Sequence, residues 1–336
     1  MDKRRLPTLA DVARRAGVSR SLVSLAIRGE GNVKPETRER IFQAAQELDY
    51  RPNLAARVLA SAQSAYVGTL VGDITNPLQA EIAKWVSVIA AERGFSALVS
   101  LDAGTDEKAE SAIEALIAHR VSGVILIGTP YEKPAIARVA ARLPSIYIGR
   151  LLKAVEVDSV TTDHIKGAVL AVEHLFGVGC RSIVHVGGGA SPGAQRMQQG
   201  YRETMERHGI GGLVEVIDAG YSVDAGAQAG RLIFARRPLP DAIFTCNDLT
   251  AVGVLNEAAK HGVAVPEQVR VVGYDDVTLA GTETLALTTV HQPARDLAEA
   301  GVDALDRRLS EPNAKIAKTL VPPQLVLRRS SLRAPD

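Results

Sequence analysis

Apolar and polar positions follow two different rhythms along this chain, and the change of rhythm divides it. Across residues 8–28, TLADVARRAGVSRSLVSLAIR, the residues Leu9, Val12 and Ala13 recur at the i, i+3, i+4 spacing of one helix face. Leu22, Val23, Ala26 and Ile27 repeat an apolar face beyond Gly17. Two short helices joined by a turn of three or four residues are predicted, which is the spacing of a DNA-binding helix-turn-helix. Thr8 suits the N-cap of the first helix, with Asp11 in the capping-box position. Gly17 supplies the left-handed backbone on which that helix stops, and Ser19 suits the cap of the second. Arg20, Ser21, Ser24 and Arg28 are left on the outer surface. A third helical pattern runs from Pro35 to Leu48, with Ile41, Phe42, Ala45 and Leu48 assigned to its inner side.

From Tyr66 onward the rhythm changes. Short β-rich apolar runs predict strands at Tyr66–Val71, Ala97–Leu101, Gly123–Ile127, Ser145–Ile148, Ser182–Val186, Val214–Ile217, Ala242–Thr245 and Arg270–Gly273. Amphipathic stretches between them, such as Leu78–Arg93, Asp106–His119, Lys166–Phe176, Gln195–His208, Val223–Arg236 and Leu249–His261, predict helices. Strand–helix alternation at this spacing means parallel sheets covered by helices on both faces. There are too many strands for one modest sheet, so two similar α/β lobes are expected.

Composition narrows the function classes. A chain of 336 residues is long enough for two or three domains and a sizeable core. No apolar run approaches the ~18 residues of a membrane span, and the basic N-terminus is followed by no signal-peptide core. Two cysteines, Cys180 and Cys246, suit a reducing cytoplasm. They offer no metal-ligand spacing, and the seven histidines are scattered, so neither metal nor cofactor is expected. Net charge of +1 conceals an asymmetry. Residues 1–61 hold 12 Lys and Arg against 7 Asp and Glu, an excess of +5; the remaining 27 basic and 31 acidic residues give −4. A basic head on a mildly acidic body is the footprint of a nucleic-acid-binding module attached to something else.

In open α/β sheets, ligands bind outside the carboxyl ends of the strands. That rule selects Asp73, Gly149-Arg150, Asn247-Asp248 and Asp275-Asp276. Asp248 is read as a helix cap and Asp276 as a turn cap, which leaves Asn247 and Asp275 as the preferred ligand contacts. Arg, Asn and Asp converging on one cleft suit a polyhydroxylated or charged small molecule. An enzyme on the same scaffold finds little support. The glycines of Gly187–Gly193 do not fit GxGxxG, no GxxxxGK[ST] is present, and Ser191 lacks a triad pattern. A transport-type binding protein would share the body but carry a signal peptide and no basic head.

One ordered set of motifs goes further. T-L-x-D-V-A-x-x-A-G-V-S at the start is followed by P-E-T-R-E-R-I and then by Y-R-P-N-x-x-A-R-x-L-A at residues 50–60. In these the chain resembles the LacI/GalR family of bacterial transcription regulators, and the resemblance runs through the whole chain. It implies an all-α helix-turn-helix head (1–50), a hinge (51–62) and an α/β two-lobed body of the type I periplasmic-binding-protein fold (63–336). The chain would cross between the lobes three times, lobe 1 holding about 63–162 and 293–320, and lobe 2 about 163–292 and 321–333. It implies a regulator, most often a repressor, whose grip on operator DNA is set by an effector, commonly a sugar, bound between the lobes.

The family's effector-binding asparagine and aspartate fall on Asn247 and Asp275, its aromatic wall on Tyr221 and its crossover glutamine on Gln292; Arg150 and Asp163 sit where members often touch ligand. The chain departs from the family in three places: Gly149 replaces a common aspartate, Leu78-Gln79 replaces an aromatic pair, and Arg196 stands one position before the family's pocket arginine, now Met197. On DNA, Arg20 and Ser21 are expected to read base edges, while Thr8, Ser19, Ser24, Asn32 and Thr37, with Arg28, face phosphates. Leu25 stands where many relatives carry arginine, so a different operator is expected. The resemblance places the hinge residues Asn53, Ala56, Leu59 and Ala60 on DNA, with Leu59 wedged into the minor groove. Because no leucine-heptad tail follows LVLRRSSL, a homodimer is expected.

Overall fold

A computed structural model describes residues 7–28, 31, 33–50, 65–101, 106–130, 133–152 and 155–332. They fall into two compact units, divided at residues 64 and 65. Asn32, Asn53, Ala56, Leu59 and Ala60 lie outside the described residues, as does the side chain of Arg28.

The first unit contains α1 (Leu9–Ala16), α2 (Arg20–Arg28) and α3 (Pro35–Glu47). Thr8 and Asp11 form the expected capping box, the amide of Thr8 donating to Asp11 Oδ2 at 2.8 Å. Gly17 ends α1 at φ 67°, ψ 37°, and the Leu22 amide donates to Ser19 Oγ at 3.2 Å. Val12, Ala13, Ala16, Val23, Ala26, Val33, Ile41 and Ala44 form the core. Phe42 is a correction to the inward face read for α3: its side chain is 50 % exposed. The buried stripe of α3 follows Ile41, Ala44, Ala45 and Leu48, and Phe42 is one residue, about 100° of helix, off that line.

The second unit holds two six-stranded sheets. In chain order its elements begin β1 (Tyr66–Val71), α4 (Pro77–Glu92), β2 (Ser96–Leu101), α5 (Asp106–Ala118), β3 (Val124–Ile127), α6 (Lys133–Ala140), β4 (Ser145–Ile148) and β5 (Asp158–Thr162). They continue α7 (His164–Gly177), β6 (Ile183–Gly187), α8 (Pro192–Arg207), β7 (Glu215–Asp218), α9 (Val223–Phe234), β8 (Ala242–Thr245), α10 (Asp248–Lys260) and β9 (Arg270–Asp275). The last are β10 (Thr288–His291), α11 (Ala294–Ser310), β11 (Lys318–Val321) and β12 (Gln324–Val326). The first sheet runs β11-β5-β4-β3-β1-β2 and the second β12-β10-β9-β8-β6-β7. All recorded pairings are parallel except β10 with β12.

The chain passes between the sheets at 162–164, at 292–294 and at 321–324. Helix α11 returns to the first sheet, packing Leu297, Ala298, Val302 and Leu305 with Ile82, Val86, Ile146 and Ile148. Helix α7 packs Ala171, Val172 and Leu175 onto the second sheet beside Phe244, Val272 and Tyr274.

In both sheets the strand order reverses direction beside the first strand, between β1 and β3 and between β6 and β8. Such switch points open crevices at the strands' carboxyl ends. They place Gly72-Asp73 and Gly128-Thr129 on one side, and Gly188 and Cys246-Asn247 on the other.

Candidate functional site

The outward surface of α2 is polar. Ser19, Arg20 and Ser21 are exposed at its start, Ser24 is half-buried a turn later, and Thr37 is half-buried on α3. Arg15 on α1 pairs with Glu47 of α3, Nε to Oε2 at 2.8 Å, which ties the supporting helices together and leaves the start of α2 uncovered. The Thr8 hydroxyl donates to Asp11 Oδ2 at 2.6 Å.

At the carboxyl ends of the two sheets, each predicted cleft residue has a definable role. Asp73 is exposed; its Oδ1 accepts from the Thr75 amide (2.8 Å) and hydroxyl (2.6 Å). Its own amide donates to Gln79 Oε1 at 2.9 Å. Gln79, standing where a family aromatic would, fills the space beside Gly128. The Arg150 guanidinium lies over the Tyr147 ring at 5.2 Å. Asp163 caps α7, accepting from the Lys166 amide at 3.2 Å. Arg196 is half-buried on α8, and its Nε is shielded from solvent with no hydrogen-bond partner. It is close enough to His164 to help hold that imidazole neutral. Burial is the larger cause, and together they bring the His164 pKa down to about 4.

Tyr221 is 38 % exposed, its hydroxyl 2.9 Å from Ser191 Oγ. Its ring rests on Gly188, where a Cβ would stand 2.3 Å from Cζ, so a side chain there would push the ring aside. Asn247, not Asp248, caps α10: its Oδ1 accepts from the Thr250 amide at 2.9 Å, and its Nδ2 donates to the Tyr221 carbonyl at 3.2 Å. Asp248, read as the cap, instead accepts from the Val277 amide (2.9 Å) and the Thr289 hydroxyl (2.6 Å). The two adjacent residues are equally competent caps, and the extended backbone at Asn247 decides which one serves. Asp276, read as a turn cap, instead meets Arg328 Nη2 at 2.7 Å and His291 Nδ1 at 3.1 Å.

Asp275 is the last residue of β9, two beyond the predicted strand end, and has φ 110°. Its carboxyl is buried, and burial, followed by the charge of Asp248, pushes its pKa well above the usual carboxylate range. Gln292 donates to Asp275 Oδ1 at 2.6 Å and accepts from the Thr162 hydroxyl at 2.6 Å. Cys246 beside them is buried, and burial raises its thiol to about 12, so it stays protonated. Sequence reasoning missed His164, Tyr274, Thr161 and Thr162. For the two threonines the signal was the polar run Asp158–Thr162, which carries no apolar alternation; His164 and Tyr274 carried none of their own.

A three-helix head with an uncovered basic turn, joined in one chain to two α/β sheets with polar side chains converging at their carboxyl ends, defines a ligand-responsive DNA-binding protein. Comparison with known proteins agrees. Residues 8–53 match the model of bacterial regulatory proteins of the lacI family, and residues 172–331 match a periplasmic binding protein-like domain. The chain is similar to the ribose operon repressor of Escherichia coli K12, at 31% identity over 97% of this chain and 100% of that one. A lac repressor dimer bound to operator and the anti-inducer ONPF superposes with a TM-score of 0.87, at 29% identity, covering 98% of this chain and 100% of that one. A transcriptional regulator CelR–cellobiose complex gives a TM-score of 0.72 at 30% identity, covering 97% and 100%. The chain belongs to the LacI family of transcription regulators. Among the described residues no helix is long and apolar enough to cross a membrane.

Proposed function

We propose that this chain is a cytoplasmic, homodimeric transcription repressor whose hold on operator DNA is set by a sugar or sugar derivative in the cleft. The observation that carries this is the conjunction of an exposed helix-turn-helix surface with a buried, hydrogen-bond-ready carboxyl at Asp275. The reading is a binding one, without catalysis, and the head sets it apart from a transport protein. Arg20 and Ser21 read base edges, and Ser19, Ser24, Arg28, Asn32 and Thr37 position the head on phosphates. Asn53, Ala56, Leu59 and Ala60 engage the minor groove from the 51–62 hinge. Asp73, Arg150, Asp163, Arg196, Tyr221, Asn247 and Asp275 line the effector site, with Tyr221 as its aromatic wall. Ribose and cellobiose, which belong to the named relatives, set the chemical class of the first ligands to test.

A thermal-shift screen of D-ribose, cellobiose and other sugars tests this reading, run on the wild type and Asp275→Ala. A sugar that binds raises the wild-type melting temperature by mass action. Losing Asp275 removes the two or so hydrogen bonds its buried carboxyl offers a sugar hydroxyl, together about 1.4–3 kcal/mol, so affinity is expected to fall about 10- to 100-fold. The same sugar stabilising Asp275→Ala undiminished contradicts the assignment.

A further inference from the structure

Two hydrogen-bonded threads run side by side through the connection between the sheets. Both begin on adjacent residues at the end of β5 in the first sheet, Thr161 and Thr162. Both end on adjacent residues at the end of β9 in the second, Tyr274 and Asp275. Successive strand residues face opposite ways, which is why neighbours serve separate threads.

In the first thread, Thr161 Oγ1 donates to the Gly149 carbonyl at 2.9 Å and lies 3.3 Å from His164 Nε2. A hydroxyl has one hydrogen, and that hydrogen is already used, so Thr161 accepts and His164 Nε2 carries the proton. His164 Nδ1 is then an acceptor, and Tyr274 Oη, 3.2 Å away, donates to it. A neutral imidazole, enforced by burial, is what this order requires. In the second thread, Thr162 Oγ1 donates to Gln292 Oε1, and Gln292 Nε2 donates to Asp275 Oδ1, both at 2.6 Å. The amide's two ends are thus shared between the lobes, its oxygen taken by Thr162 and its NH₂ by Asp275. Thr161, Thr162, His164, Tyr274, Asp275 and Gln292 are all buried.

Gln292 therefore has both ends of its amide engaged within the protein. Asp275 sits at φ 110°, a backbone conformation that persists only where its surroundings hold it. Gln292 reaches it from the second crossing of the chain and Thr162 from the first.

We propose that Thr162 and Gln292 are positioning residues that transmit a displacement of Asp275 to the first lobe, with the Thr161–His164–Tyr274 thread as a parallel brace. This rests on the effector reading above and reassigns Gln292 from ligand contact to transmitter. The threads are a physical coupling element that occupancy at Asp275 and the lobe angle both bias.

Hydrogen exchange on the full-length protein tests the proposal without any ligand. The Gln292 amide donates to the Asp275 carbonyl and the Asp163 amide to the Val321 carbonyl, so both report on the crossings. Thr162→Val keeps the shape and removes the hydroxyl; these two amides are expected to exchange about tenfold faster, with the β8 amides unchanged. Thr162→Ser is expected to restore wild-type exchange. Operator titrations with D-ribose and cellobiose supply the second readout. Thr162→Val is expected to bind the active sugar within about threefold of wild type yet lose about tenfold of its effect on DNA affinity. Wild-type exchange at Gln292 and Asp163 in Thr162→Val overturns the proposal, and so does an undiminished sugar effect on DNA. If neither sugar alters wild-type operator binding, the sugar reading fails on its own account, and the exchange rates still decide the threads.

Discussion

Asp158→Ala is expected to destabilise the two-sheet unit by about 3 kcal/mol, more than any other single charge removal described here. Asp158 opens β5 and is 1 % exposed. It accepts from Arg307 Nη2 (2.7 Å), Arg308 Nε (3.0 Å), Arg308 Nη2 (2.5 Å) and the Ala317 amide (2.7 Å). These bonds fasten the end of α11 and the approach to β11 onto the first sheet. Alanine leaves the Arg308 side chain, 13 % exposed, with no carboxylate. The lower end of the range for a broken buried pair applies because the Arg307 side chain is 38 % exposed and rehydrates. For a unit of this size the melting temperature should fall by about 6–12 °C. A calorimetric scan showing no fall removes Asp158 as the anchor. Because α11 follows the second crossing, a loosened anchor should also weaken the effector's influence on DNA binding.

Gly253→Val is expected to cost about 3 kcal/mol or more, and to remove effector binding as well. Helices α9 and α10 cross with their backbones touching. A Cβ at Gly253 would stand 2.0 Å from the Val223 carbonyl oxygen, and one at Gly226 would stand 2.0 Å from that of Thr250. The obstacles are backbone atoms, so no side-chain rotation relieves the clash and the helices must separate. Their N-termini carry residues of the proposed site: Ser222 caps α9 next to Tyr221, and Asn247 caps α10 while holding the Tyr221 carbonyl. Separation therefore displaces Tyr221, the proposed aromatic wall. Thermal unfolding and sugar titration of the variant check both effects. Wild-type melting with intact binding would show that the crossing tolerates a side chain.

How much was legible follows from where each residue's partners lie. The capping box, the Gly17 turn and the Ser19 cap were readable because every partner is within four residues. Eight strands of the body were readable from their apolar runs. Strands β5 and β10 were not: Asp158 and Thr162 of DSVTT find partners 130 to 150 residues away, and the hydroxyls of Thr288 and Thr289 in TTVH find theirs 40 and 41 residues away. Strands β11 and β12 are short edge strands with one face exposed, and α6 is a helix of 8 residues; none carries a repeat long enough to stand out. Asp275 was nameable as a strand-end residue, and Tyr221 only through the family resemblance. The closeness of His164 to Tyr274, 110 residues apart, is set by packing alone. The assignment of Asp248 as a cap failed for a local reason, since two adjacent cap-competent residues cannot be ranked without the backbone.

The central claim is that occupancy of the cleft sets how firmly the head holds DNA. A fluorescence anisotropy titration of the full chain on a duplex selected from a randomised pool, with and without a sugar shown to raise its melting temperature, tests that claim directly. Salt-sensitive, sequence-selective binding whose affinity changes about tenfold or more with the sugar, a coupling of about 1.4 kcal/mol, is the predicted result. Identical affinity with the cleft filled and empty would contradict it.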